Sequence, residues 1–234
     1  PRAAPSRGSD GMRSRWMMAA TAACTSLLLA ACIPGLSNDT SQYFGRGDEG
    51  ESNSERQTME AFIDETVPRY MSIVQDVAVA AGGTLGVGAG PDISSGCAPT
   101  SNGFEIRSAR YYIPLMEYED LRRVVAAGAQ RYGFSYSTDP VPRDKLKMRS
   151  VNLGDQDGNV LRFHHYEDDT IAVFFDSGCL PAAQPDGLLK RLRFPEPEEL
   201  FSRVTIVDAF DANNQRNPLI FRQVTTDSDK KSGS

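Results

Sequence analysis

The chain has 234 residues, 40 % of them apolar, which is enough to bury one core of ordinary size. Its net charge of −6 at pH 7 repels phosphate backbones and anionic headgroups, so nucleic acid is excluded as a partner and so is electrostatic adsorption to membranes. Patterned apolar sequence is thin before residue 55 and near the carboxyl end, which leaves about 130 residues for a folded body.

In chain order, the residues ahead of Met12 read as upstream reading frame and not as part of a fold. Met12-Arg13-Ser14-Arg15 then supplies a basic start, Trp16 to Ala31 an apolar run of 16 residues, and Leu29-Ala30-Ala31 a small-residue cleavage site. The run falls short of the about 20 apolar residues that a spanning helix needs, so a removable secretory signal over residues 1–31 is expected. Leu29-Ala30-Ala31-Cys32 resembles the lipobox of bacterial lipoproteins, which implies that the Cys32 thiol is acylated and becomes the new amino terminus. Acyl chains contribute about 0.8 kcal/mol per buried CH₂, so two or three of them on one residue anchor a protein to a membrane. Residues 32–54 are polar, rich in glycine and serine and without a period; they read as a tether with a reach of about 25 Å.

Ser54 and Gln57 have the spacing of a capping box, and the apolar positions from Met59 to Ala81 recur at helical spacing, which predicts a long amino-terminal helix ended by Gly82-Gly83. Pro68 should kink or split it. A short strand over 84–87 and a glycine-rich loop into Cys97 follow; the loop lacks the Gly-Lys-Ser/Thr ending of a phosphate-binding loop. Phe104 to Ile113 has the content of one strand, and Glu117 to Tyr132 that of a second helix with Gly133 at its cap. Four strands are predicted over 134–137, 145–153, 160–166 and 171–175, with Asp157-Gly158 as a hairpin turn. Beyond Cys179, prolines break any long element; one helical turn over 196–201 and two strands over 204–210 and 218–224 are expected. The fold class predicted is therefore α+β: a long amino-terminal helix and a second helix on an antiparallel meander of about four to six strands. The folded domain spans 55–185, and 186–234 is a partly disordered carboxyl-terminal extension.

The chain has four cysteines. Cys24 leaves with the signal and Cys32 is acylated, so Cys97 and Cys179 remain as a disulfide pair in an oxidising compartment. Closing that loop is worth roughly 4 kcal/mol in the loop-entropy model. A metal site or a reactive thiol is the alternative for the pair, with no CxxC spacing behind it. "DQDGN", 155–159, resembles the opening of a calcium loop but has Val160 and Tyr166 where glycine and glutamate belong, so it reads as a turn. His164 and His165 are the only histidines; on a strand they point to opposite faces and cannot share one ion. No nucleophile turn accompanies them, so no catalytic residue, metal or cofactor is assigned. Arg107, Arg110 and Tyr112, with His164, are candidates for a solvent-facing recognition patch.

The lipobox, the tether, "SSGC", "YEDLRRVVAAGAQRYGF" and "DQDGNVLRFHHYEDDTIAVFFDSGCLP" together resemble the LppA-type lipoproteins of actinobacteria, over about residues 16–185. The most specific parts are Gly96-Cys97, Ser177-Gly178-Cys179 and the helix ending Tyr132-Gly133. The resemblance implies an envelope lipoprotein of small α+β fold with a disulfide, of no established biochemical role. From Lys190 onward the chain departs from that pattern. The expectation is a non-enzymatic protein, anchored by acyl chains to the outer face of the cell membrane, that binds an envelope protein or ligand. An envelope hydrolase using the His164/His165 region, with one of the two as base, or a purely structural surface antigen, are the alternatives.

Overall fold

The computed structural model describes residues 56–97, 103–139 and 147–222. Cys32, the expected signal segment and the whole of the expected tether lie outside them.

Three pieces of helix open the described chain: α1 (Met59–Ala61), a π-helical turn (Phe62–Thr66) and α2 (Val67–Ala80). Thr58 caps α1, its hydroxyl accepting the Ala61 N–H at 3.2 Å, so the cap lies four residues beyond the expected Ser54. The single long helix expected over Met59 to Ala81 is not what forms: it is split, at the place where Pro68 was expected to kink or split it. Pro68 has no N–H for the Asp64 carbonyl and its ring crowds that group, while in the π turn the Val67 N–H reaches the Phe62 carbonyl. Pro68 then sits in the first turn of α2, where a missing donor costs nothing. Gly82 and Gly83 end α2 with φ of 107° and 81°, and the Gly83 N–H reaches the Ala78 carbonyl at 2.8 Å. The next long helix, α3 (Tyr118–Tyr132), stops at Gly133 with φ of 75°.

The strands are β1 (Thr84–Val87), β2 (Asp92–Cys97), β3 (Gly103–Arg107), β4 (Tyr111–Pro114), β5 (Ser135–Thr138), β6 (Met148–Gly154), β7 (Val160–Tyr166), β8 (Thr170–Asp176) and β9 (Thr205–Asp208). They form one nine-stranded sheet of order β5-β6-β7-β8-β4-β1-β9, with β3 joined to β8 at Arg107↔Asp176 and β2 paired on β3. β9 runs parallel to β1, with Leu85 opposite Ile206, so the sheet is mixed. This corrects the expected meander of four to six strands, and each difference has an identifiable cause. The segment expected as one strand over 104–113 breaks at Ser108, whose hydroxyl accepts the Phe175 N–H at 2.9 Å; β3 and β4 then lie one after the other along β8. Polar β2 pairs along β3 from Asp92↔Arg107 to Cys97↔Gly103 and carries the alternation of neither face. β9 reaches the sheet edge from residues far along the chain, a pairing that local periodicity does not record.

One face of the sheet is covered by α2 and α3. Tyr70, Val74 and Val77 of α2 and Leu121 and Val125 of α3 meet Leu85, Ile113, Val151, Leu161, Phe163, Val173 and Phe175, all fully buried. Two short helices, α4 (Leu188–Arg191) and α5 (Pro197–Leu200), follow β8, and Leu188 and Phe201 enter the same core. On the opposite face a second, smaller cluster of Ala209, Ile220 and Phe221 packs with Tyr112, Val207 and Phe210. Residues past 185 thus fill part of the main core, add an edge strand and cover part of the other sheet face.

Cys97, at the end of β2, is bonded to Cys179, just past β8. The bridge needs Gly103 beside it: a Cβ there would stand 2.3 Å from the Cys179 sulfur and 2.8 Å from that of Cys97.

Candidate functional site

Strand alternation sorts the side chains of β7 and β8 between the two faces. Leu161, Phe163 and His165, with Ile171, Val173 and Phe175, point to the helices and are buried. Arg162, His164, Phe174 and Asp176 point the other way, where Arg107, Arg110 and Tyr112 join them from β3, the break after it and β4. The four residues proposed from sequence as a patch are therefore on one face, gathered around two residues that sequence reasoning did not select, Phe174 and Asp176.

Asp176 organises the basic side. Its carboxylate accepts the Arg107 Nε at 2.9 Å and the Arg162 Nε at 3.3 Å, and the bond to Asp176 raises the pKa of Arg107 above its ordinary value. Phe174 organises the aromatic side. The Arg110 guanidinium lies 5.8 Å from its ring centroid, and the His164 ring meets it edge-on at 5.0 Å. Further along, Tyr112 packs edge-on against Phe210 at 5.5 Å and at a tilt against Phe221 at 5.2 Å.

Two open clefts lie on this face. A cleft of about 300 Å³ is lined by Ala89, Asp92, Arg107, Arg110, Phe174 and Asp176. A second, of about 550 Å³, is lined by Gly88, Arg110, Tyr112, Asp208, Phe210 and Asn214. Ala89 and Arg110 border both, so the clefts are neighbours with Arg110 at the junction. Gly88 keeps the floor low, since a Cβ there would meet the Arg110 carbonyl and the Tyr112 ring at 3.0 Å each. Phe210 and Asn214 come from the chain after β9, which no motif marked. Alternation along "TIAVFFD" does place Phe174 opposite Phe175, and that was the available signal for Phe174.

The two histidines are separated by the sheet. His165 is 4 % exposed, its Nε2 lies 2.8 Å from the Met116 carbonyl and the Tyr118 ring stands edge-on at 5.4 Å. Burial pushes its pKa down from the ordinary value. A hydrolytic pair made of both imidazoles is therefore not assembled. Among the described residues no group of three or more His, Cys, Asp or Glu is placed to hold a metal ion. Asp155 of the calcium-like stretch is occupied by its own turn, accepting the N–H groups of Asp157 and Asn159 at 3.0 Å and the Asn159 amide at 2.7 Å. Among the described residues no helix is long and apolar enough to cross a membrane.

These features define a class: a disulfide-stapled, helix-backed mixed β-sheet domain whose second face carries arginine and aromatic side chains around open clefts. The chain belongs to the family described as a domain of unknown function, DUF4853, which matches residues 55–188. It is similar to a crystal structure of a DUF4853 family protein from Actinomyces odontolyticus, with a TM-score of 0.59 and 25 % identity over 70 % of this chain and 92 % of that one. No curated protein matches it. β9, Phe210 and Asn214 lie outside the stretch the family matches, so one wall of the larger cleft comes from residues beyond it.

Proposed function

We propose that this protein is a cell-envelope lipoprotein, held to the outer face of the cell membrane by acyl chains on Cys32, and that its domain binds a ligand or partner through the open sheet face. The observation that carries the reading is the Cys97–Cys179 bridge. Such bridges persist in oxidising compartments outside the cytosol. A bridge between those two cysteines supports export, and the Leu-Ala-Ala-Cys stretch is a route to export that also spends the remaining thiol of the mature chain. The likeness to LppA-type lipoproteins supports the same reading. Arginine and aromatic side chains over open clefts are the composition of a recognition surface. A hydrolase with one of the two histidines as base has less support: His165 is buried against the Met116 carbonyl, and no nucleophile turn accompanies His164.

Metabolic labelling with a fatty-acid analogue tests the anchor. The wild type should carry label in the membrane fraction, and Cys32→Ala should lose both. Soluble, unlabelled protein inside the cell with Cys97 and Cys179 reduced would overturn the reading.

A further inference from the structure

We infer that the paired clefts on the open sheet face bind a neutral pyranose glycan; this rests on the proposal that the face is a binding surface and gives its ligand a chemistry. Three properties of the clefts lead there.

The first is charge. Arg107 and Arg162 are both engaged by Asp176, and among the described residues no carboxylate pairs with the guanidinium of Arg110. Asp92 lies opposite Arg107 in the β2–β3 register and adds to the field that holds it charged, and Asp208 lines the other cleft. Arg107, Arg110 and Arg162 therefore share the face with Asp92, Asp176 and Asp208, three charges of each sign. A phosphate or polyanion placed here meets both Asp92 and Asp208, and a cationic peptide meets Arg110. A neutral ligand meets neither repulsion.

The second is hydrogen bonding. Carboxylates only accept, a guanidinium only donates and the Asn214 amide does both. A sugar hydroxyl donates and accepts at once, so the rim of a ring in one cleft suits Asp92 and Arg110, and that of a ring in the other suits Arg110, Asp208 and Asn214. Ser108 does not take part, since its hydroxyl already donates to the Ala109 carbonyl at 2.7 Å and accepts the Phe175 N–H.

The third is shape. Phe174 stands in one cleft and Tyr112 with Phe210 in the other, each half-buried and fixed by ring contacts, giving an apolar platform on both sides of Arg110. A pyranose ring has an apolar C–H face to lay on such a platform and a rim of hydroxyls to turn to the polar groups. Volumes of about 300 and 550 Å³ fall in the range of small-ligand pockets and suit one or two linked rings.

Isothermal titration of the full-length protein in detergent with mannotriose, maltotriose and N,N′,N″-triacetylchitotriose tests this. At least one trisaccharide should bind saturably. Arg110→Ala and Phe174→Ala, both at the surface of the face, should each weaken that binding by about tenfold or more, with an unchanged far-UV circular dichroism spectrum and disulfide. Saturable binding of none of the three, equal binding by both variants, or binding only of the zwitterion glycylglycine would overturn the inference. Fatty-acid labelling of the same preparation reports the anchor independently, so a failed anchor and an empty cleft give different results.

Discussion

His165 shows what a single buried group imposes. The Met116 carbonyl can only accept, so the Nε2 that faces it carries the proton, and Nδ1, with no partner among the described residues, is where a second proton must go. That site is sealed, and the charges around it are mixed: Arg149 sits opposite His165 across the strands, with its guanidinium over the Tyr118 ring at 3.9 Å, and is paired to Glu167 at 3.1 Å. The native state keeps His165 neutral while the unfolded chain protonates it near the ordinary value of 6.5. Stability is thus fully present above that pH and falls as the pH drops below it. Urea midpoints measured from about pH 7 to pH 5 should decline, and His165→Gln should flatten the decline. An unchanged slope in the variant would assign the pH dependence elsewhere. Tyr118 acts at the other end of the scale. Burial pushes its hydroxyl up to about 12, while its O–H reaches the Asp139 and Ser150 carbonyls, so stability is lost as the unfolded chain ionises above pH 10.0. Gly103 makes a third residue-scale case: Gly103→Ala places a methyl on the two sulfurs and should leave free thiols, titratable under native conditions, at positions 97 and 179.

At the scale of elements, β9 is the most exposed to test. The Thr205 N–H reaches the Gly83 carbonyl at 2.8 Å and the Ala209 N–H the Val87 carbonyl at 2.9 Å, so the parallel edge is tied at both ends. Ala209 is fully buried against Ile220 and Phe221. Ala209→Pro removes one of those ties and inserts a ring into the outer cluster, which should cost about 1–3 kcal/mol and raise hydrogen exchange in β1 and β9 ahead of β6 to β8. Exchange that rises uniformly would mean that the edge does not open separately. Elements with strong local signals were legible from sequence: β7 at 160–166, the helix ending at Gly133 and the turn at Gly158, whose φ is 81°. The failures were β2, which has no alternation to read, the strand expected over 218–224, whose described residues 218–222 form a turn that packs Ile220 and Phe221 into the outer cluster, and the interruption at Ser108, which exists because a hydroxyl finds the Phe175 N–H across the sheet.

For the whole molecule, the bridge spans a sequence separation of 82 residues and ties β2 to the end of β8. In the loop-entropy model it contributes roughly 4 kcal/mol, a large part of the stability of a domain this size. Urea unfolding of the oxidised protein against Cys97→Ser/Cys179→Ser should differ by about that amount, and a difference under about 1 kcal/mol would mean that the reduced chain keeps its ends together. The same molecule-wide contacts decide how the face is shared: residues after β9 pack on one side of Tyr112 in the outer cluster and wall the larger cleft, beside which Arg110 and Phe174 lie.

What the amino-acid order determined by itself is whatever depends on near neighbours or on counting: strand alternation, helix ends at glycine, the hairpin at Asp157-Gly158 and the pairing of Cys97 with Cys179 by parity. Only the tertiary structure decided the mixed nine-stranded sheet, the π-helical form of the break that Pro68 announced, and the grouping of Arg107, Arg110, Tyr112 and His164 around Phe174 and Asp176. The physical reason is distance along the chain. A side chain's face follows from its own strand, but its neighbours on that face come from strands and loops brought alongside by burial of a shared core, and no local pattern records which ones they will be.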